Sequence, residues 1–134
     1  METDAIRMNT TMLAWLGDAA YDLKIREYIA GSGRGAGHAD IMHRKAVRYV
    51  RAEAQAKVMR EIVEELPPEE QALVRRARNK RISTKPKNAD PVQYKWATAF
   101  EALIGYYLLA GLNERIDDAV RRAIEITDKE RREG

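Results

Sequence analysis

The amino-acid sequence predicts an all-α fold, a single-domain helical bundle of about five main helices. Three observations carry that reading. Apolar residues recur at three- to four-residue spacing, no stretch alternates with the period of a strand, and capping or breaking residues fall between the periodic stretches. The 134 residues suit one domain with one sizeable core, spanning 1–134 with residues 1–9 and 129–134 as frayed tails. No internal repeat is present.

Asn9, Thr10 and Thr11 offer N-caps for a first helix running to about residue 30, with Gly31 placed to end it. The loop GSGRGAG at 31–37 superficially fits a GxGxxA dinucleotide pattern. It follows a helix instead of a strand and lacks the Gly-Lys-Ser/Thr ending of a phosphate loop, so it reads as a linker. A long second helix is expected over 38–66, where Ile41, Val47, Val50, Ala54, Val58 and Ile62 share one face and charges of both signs occupy the other. Within it, His38 and His43 are five apart and do not share a face as a metal pair would.

Pro67 and Pro68 stop that helix, and Pro68 starts a third, PEEQALVRRAR, with Glu69 and Glu70 in its first turn. A turn at 88–91 precedes the fourth helix, whose segment 96–112, WATAFEALIGYYLLAGL, has Glu101 as its only charge and should be buried on most of its circumference. After Gly111 an amphipathic helix over about 112–128 should bury Ile116, Val120, Ile124 or close neighbours, and the tail KERREG should fray.

Composition narrows the class. With 45% apolar and 34% charged residues the chain is an ordinary globular protein, not a disordered one. Its formal charge is only +3 while its pI is about 9.2, so binding to a polyanion must rest on local clustering. The absence of cysteine excludes disulfides, thiolate zinc sites and cysteine nucleophiles, and fits a reducing, cytoplasmic setting. The opening METDAIRMNT is polar and acidic, the wrong chemistry for a signal peptide. The run 96–112 is at the short limit for a membrane span and carries a Glu at its centre, so no membrane association is expected.

Glu101 needs a partner, because an ionised carboxylate in a low-dielectric core is costly unless paired, protonated, hydrogen-bonded or metal-bound. No Lys or Arg lies three or four residues away. Asp18 is in a similar position, the only charge in MLAWLGDAA at 12–20. Gly17 and Gly105 would let the two helices approach closely, and a divalent cation is the usual way to make two embedded carboxylates favourable. The alternative is that each acid separately reaches solvent or a backbone donor.

Between residues 75 and 87, RRARNKRISTKPK carries seven Lys or Arg and no acid. With Asn79, Ser83 and Thr84 interleaved it is either a phosphate-binding loop or a solvated basic loop. Beside a paired-carboxylate metal site, the first alternative implies metal-assisted phosphodiester chemistry.

The segments LAWLGDAAYDLKIREYI and FEALIGYYLLAG resemble the two catalytic helices of the ribonuclease III superfamily. HRKAVRYVRAEAQA, RRARNKRISTKPKNAD and YKWATAFEALIGYYLLAG, in that order, resemble its short bacterial branch, Mini-ribonuclease III, which lacks the appended double-stranded-RNA-binding domain. The resemblance covers residues 12–126 and implies a catalytic domain that works as a homodimer in the cytoplasm. It further implies magnesium as cofactor, with manganese as a substitute, and double-stranded RNA as substrate. The implied task is maturation of large-subunit (23S) ribosomal RNA precursor ends, leaving 5′-phosphate and 3′-hydroxyl groups, with a ribosomal protein as a further partner that presents the substrate. A catalytically silent, ribosome-associated RNA-binding dimer is the alternative.

By that resemblance Asp18 and Glu101 are the catalytic metal ligands, and Trp15 lies where larger relatives place a dimer-contact aromatic, although a core tryptophan is the plain alternative. Arg78, Asn79, Lys80, Thr84, Lys85, Lys87 and Asn88 fall in the RNA-binding loop. Larger ribonuclease III enzymes carry two more acids, at the positions of Ala14 and Thr98 here, which favours one well-held ion over two. Asp22, one turn after Asp18, is a candidate for a supporting carboxylate.

Overall fold

The computed structural model describes residues 2–33, 35–81 and 87–133. Seven helices follow in order: α1 (Glu2–Ile6), α2 (Thr10–Ser32), α3 (Ala39–Val50), α4 (Ala52–Ile62), α5 (Pro68–Asn79), α6 (Pro91–Leu109) and α7 (Asn113–Glu133), with a 3-10 turn over Val63–Glu65. No strand occurs among the described residues. The last helix runs to Glu133 and a short helix forms at 2–6, so helical structure reaches into both segments expected to fray.

The local signals act where the sequence put them. Asn9 caps α2 with its Oδ1 accepting from the Thr11 and Met12 amides at 2.8 and 3.3 Å. The helix ends two residues later than expected, at Gly33, whose φ of +72° is the left-handed conformation that closes a helix at little cost to glycine. Pro68 starts α5, and Asp90 caps α6 with Pro91 in its first turn.

Helix α6 is the centre of the fold, buried on nearly every side from Ala97 to Tyr107 and packed against α2, α4 and α5. Its closest neighbour is α2. A Cβ added at Gly17 would overlap the Glu101 carbonyl oxygen, and one at Gly105 would overlap the Leu13 carbonyl oxygen. The two glycines thus bring the helices together backbone to backbone, and this crossing sets Asp18 beside Glu101.

The helix expected over 38–66 is instead broken at Arg51, an extended residue with φ −67° and ψ 153°. A break leaves carbonyls without intrahelical partners. Here the Tyr21 hydroxyl donates to the Tyr49 carbonyl at 3.1 Å, and Gln55 Nε2 donates to the Val50 carbonyl at 2.9 Å. The Tyr49 hydroxyl in turn donates to Asp128 Oδ1 at 2.7 Å, tying the break to α7. Partners distant in sequence make the interruption possible, which is why no glycine or proline marks it.

Glu70 lies in the first turn of α5, as the sequence predicts, and is 5% exposed. The Tyr107 hydroxyl donates to its Oε1 at 2.6 Å, and Arg115 pairs with it while donating to the Tyr107 oxygen at 2.8 Å. Burial pushes the Tyr107 hydroxyl up, so it stays a donor, and the three side chains lock α5, α6 and α7 together.

Candidate active site

The groove between α2, the end of α5 and the first half of α6 has a volume of about 290 Å³. Helix α2 contributes Ala14, Trp15 and Asp18, α6 contributes Tyr94, Lys95, Thr98 and Glu101, and the chain leaving α5 contributes Lys80 and Arg81. Helical spacing explains the α6 set: 94, 98 and 101 share a face, as do 14 and 18 on α2. Asp18 is exposed to the groove and Glu101 is half-buried in its floor, so only one of the two acids is embedded.

Their carboxyls lie within hydrogen-bonding distance of each other. Burial, then the negative charge of Asp18 and the hydrogen bond with it, push Glu101 up to about 8 from 4.5, while a hydrogen bond from Gln55 pulls the other way. At neutral pH the pair therefore retains a proton. No third acid or His joins them, since no cluster of three or more His, Cys, Asp or Glu suited to a metal occurs among the described residues. Ala14 and Thr98 line the same groove.

Asp22 does not line this groove. Its Oδ2 accepts from Arg26 Nε at 2.9 Å, the opposite charge one turn further along α2. The expectation that Asp22 supports the site is not carried by this arrangement.

The basic residues separate into groups. Lys80 and Arg81 rim the groove from one side and Lys95 from another, and none of the three pairs with an acid among the described residues. Lys80 is held by Asn9, whose Oδ1 accepts from its Nζ at 3.1 Å, so the residue that caps α2 also anchors the basic arm. Arg78 does not line the groove; its guanidinium is 4.9 Å from the Trp96 ring centroid and its Nε donates to Asn79 Oδ1 at 3.3 Å. Lys87 and Asn88 are exposed in the turn before α6, where Asn88 takes a φ of +71°. Thr84 and Lys85 lie outside the described residues.

Trp15 is 75% exposed, which removes the core alternative. With Met12, Ala19 and Leu23 it forms an apolar stripe along the outer face of α2. Lys95 and Gln55, and Arg81 within the basic stretch, are residues of the site that sequence reasoning did not single out. Lys95 directly precedes the apolar run, and Gln55 sits in a stretch of mixed charge that reads as a solvated helix face.

A helical bundle with two close carboxylates in a basic-rimmed groove is the architecture of a nuclease domain that works on a phosphodiester backbone, and the Ribonuclease III domain model matches residues 11–112. Mini-ribonuclease 3 of Brevibacillus brevis is 43% identical over 122 residues, covering 91% of this chain and 90% of that protein. Mini-ribonuclease 3 of Symbiobacterium thermophilum is 41% identical over 117 residues, covering 87% and 88%. Among solved structures, protein FN1578 from Fusobacterium nucleatum superposes with a TM-score of 0.79 at 29% identity, covering 89% of this chain and 93% of that one. The chain belongs to the Mini-ribonuclease 3 family of ribonuclease III-type endoribonucleases.

The carboxyl pair gives stability a pH dependence of definite sign. From 4.5 to about 8 the folded protein keeps a proton on Glu101 that the unfolded chain releases, so the stability this group contributes is lost as pH rises through that window. Thermal melts across about pH 5 to 9 should show the wild type losing stability relative to Glu101→Gln as pH rises. Parallel curves for the two proteins would contradict the assignment.

Proposed function

We propose that the protein is a magnesium-dependent endoribonuclease of the cytoplasm that cuts double-stranded RNA in this groove, with Asp18 and Glu101 as the ligands of the ion. The observation that carries the reading is the close pair of carboxyls facing an unpaired basic rim. The donor set fits the ion: magnesium prefers hard oxygen ligands, is commonly held by one or two carboxylates, and takes its remaining ligands from water and phosphate. Two carboxylates that repel each other, one of them pushed into protonation, are relieved by a divalent cation.

A bound magnesium ion supplies a Lewis acid for activation of water and for the charge that develops on phosphate. The chain's own residues do the rest. Asp18 and Glu101 hold the ion, and Lys80, Arg81 and Lys95 take neighbouring phosphates, with Lys87 and Asn88 beyond the groove. Contacts of this kind follow the backbone of an A-form duplex and read shape more than sequence. The task most consistent with the family is maturation of 23S ribosomal RNA precursor ends to 5′-phosphate and 3′-hydroxyl termini, with a ribosomal protein presenting the substrate.

The α2 stripe supports a homodimer, because an exposed tryptophan flanked by Met12 and Leu23 is the composition of an interface centre. Trp15→Glu and Leu23→Glu should each weaken self-association by about 100-fold, read by sedimentation equilibrium. Leu23 does not line the groove, so its variant separates dimerisation from substrate contact. An unchanged association constant in both would move the interface elsewhere.

The function is tested by incubating purified protein with a duplex transcript of a 23S precursor stem, with magnesium and with excess chelator. Metal-dependent cuts at mapped positions are expected. Intact RNA in both reactions would overturn the proposal.

A further inference from the structure

Among the buried residues of α4, Ala54, Gln55, Ala56, Val58, Met59 and Ile62, only Gln55 is polar, and it is 2% exposed. An amide in such a position must have its hydrogen bonds met by particular partners. Nε2 donates to the Val50 carbonyl in the α3–α4 break at 2.9 Å. The reverse orientation would set Oε1 against that carbonyl oxygen, acceptor against acceptor, so the amide's direction is determined. Nε2 has a second hydrogen, and the Glu101 carboxyl lies against the same amide. Oε1 has no hydrogen-bond partner among the described residues. A methionine would fill this volume without stranding an acceptor, so packing alone does not account for the residue.

We infer that Gln55 is a positioning residue for Glu101, tying its carboxyl to the Val50 carbonyl at the α3–α4 break and keeping it directed at Asp18 for cation binding. The inference rests on the reading of Asp18 and Glu101 as the ion's ligands. An N–H donor fixes the direction of a carboxylate, and a cation site depends on that direction. Ala14 and Thr98 line the same groove and offer no carboxylate, which leaves orientation to a neutral neighbour. The helix break acquires a purpose, since a continuous helix through residue 51 would bind the Val50 carbonyl internally and remove the amide's anchor.

The test is Gln55→Met in the full chain, free of RNA, with Mn2+ binding read from the electron paramagnetic resonance signal of the free ion. Affinity should fall by about 10-fold. The Mg2+ concentration for half-maximal cleavage should rise by about the same factor, so part of the lost rate returns as Mg2+ is raised. A merely structural role would lower the melting temperature and leave both values in place. If Gln55→Met does not fold, Gln55→Asn, whose amide is one methylene closer to the backbone, is measured the same way with the same expectation. Wild-type Mn2+ affinity in a folded variant overturns the inference and leaves the carboxyl pair standing. Absence of Mn2+ binding by the wild type itself overturns the reading of the pair, and the inference with it.

Discussion

Asp18→Asn and Glu101→Gln are each expected to lower cleavage of duplex RNA by at least about 10³-fold while raising the melting temperature of the RNA-free protein. A factor of that size corresponds to roughly 4 kcal/mol of transition-state stabilisation, the scale at which loss of a metal's charge is felt. Each substitution keeps the shape of the side chain and removes its negative charge. With two carboxylates lining the groove among the described residues, either loss halves the negative charge available to a cation. Stability moves the other way because burial and the Asp18 charge disfavour the ionised form of Glu101, so removing either charge relieves the pair. Opposite signs in rate and melting temperature separate this outcome from misfolding, which would lower both. Wild-type rate in either folded variant would remove Asp18 and Glu101 from the chemistry.

Much of this site was legible in the sequence because charge is conspicuous where the surroundings are apolar. Glu101 stood out as the single acid in the run 96–112 and Asp18 as the single acid in 12–20, while Gly17 and Gly105 supplied a reason for their helices to meet. Caps and breakers at Asn9, Pro68 and Asp90 act locally and placed the helix starts well. What escaped is stabilised by partners distant in the chain. The break at Arg51 depends on the Tyr21 hydroxyl, 28 positions from the carbonyl it meets, and the burial of Glu70 depends on Tyr107 and Arg115. Gln55 and Arg78 show the same limit. Each sits in a stretch of mixed or positive charge, and only the packed α6 reveals that one reaches Glu101 and the other lies on Trp96.

Ala14 and Thr98 line the groove with Asp18 and Glu101 and add no charge to it. Asp18 and Glu101 are the acids among its described lining residues. A site of lower charge holds a cation less tightly and depends more on ligands that arrive with the RNA. Orientation of the two carboxylates then matters more, which is the work assigned to Gln55.

Gly17→Ala carries the second large effect, and it reaches stability and chemistry through one contact. The added Cβ would collide with the Glu101 carbonyl group and come within 2.8 Å of the Gly105 nitrogen. These are backbone atoms of a helix buried on nearly every side, so no side-chain rotation relieves the clash and α2 must move away from α6. Such overpacking costs about 3 kcal/mol or more, a drop of roughly 10 °C in melting temperature at fixed protein concentration. Gly105→Ala, which would strike the Leu13 carbonyl from the other side of the crossing, should behave alike. Gly31→Ala is the control, since nothing lies within 4 Å of a Cβ there and the residue is helical; it should stabilise by about 0.5–1 kcal/mol. Because Asp18 follows Gly17 directly, moving α2 also draws its carboxylate away from Glu101, and cleavage should fall further than the loss of folded protein explains. A Gly17→Ala protein with wild-type melting and wild-type rate would mean that the close crossing does not hold the two acids together.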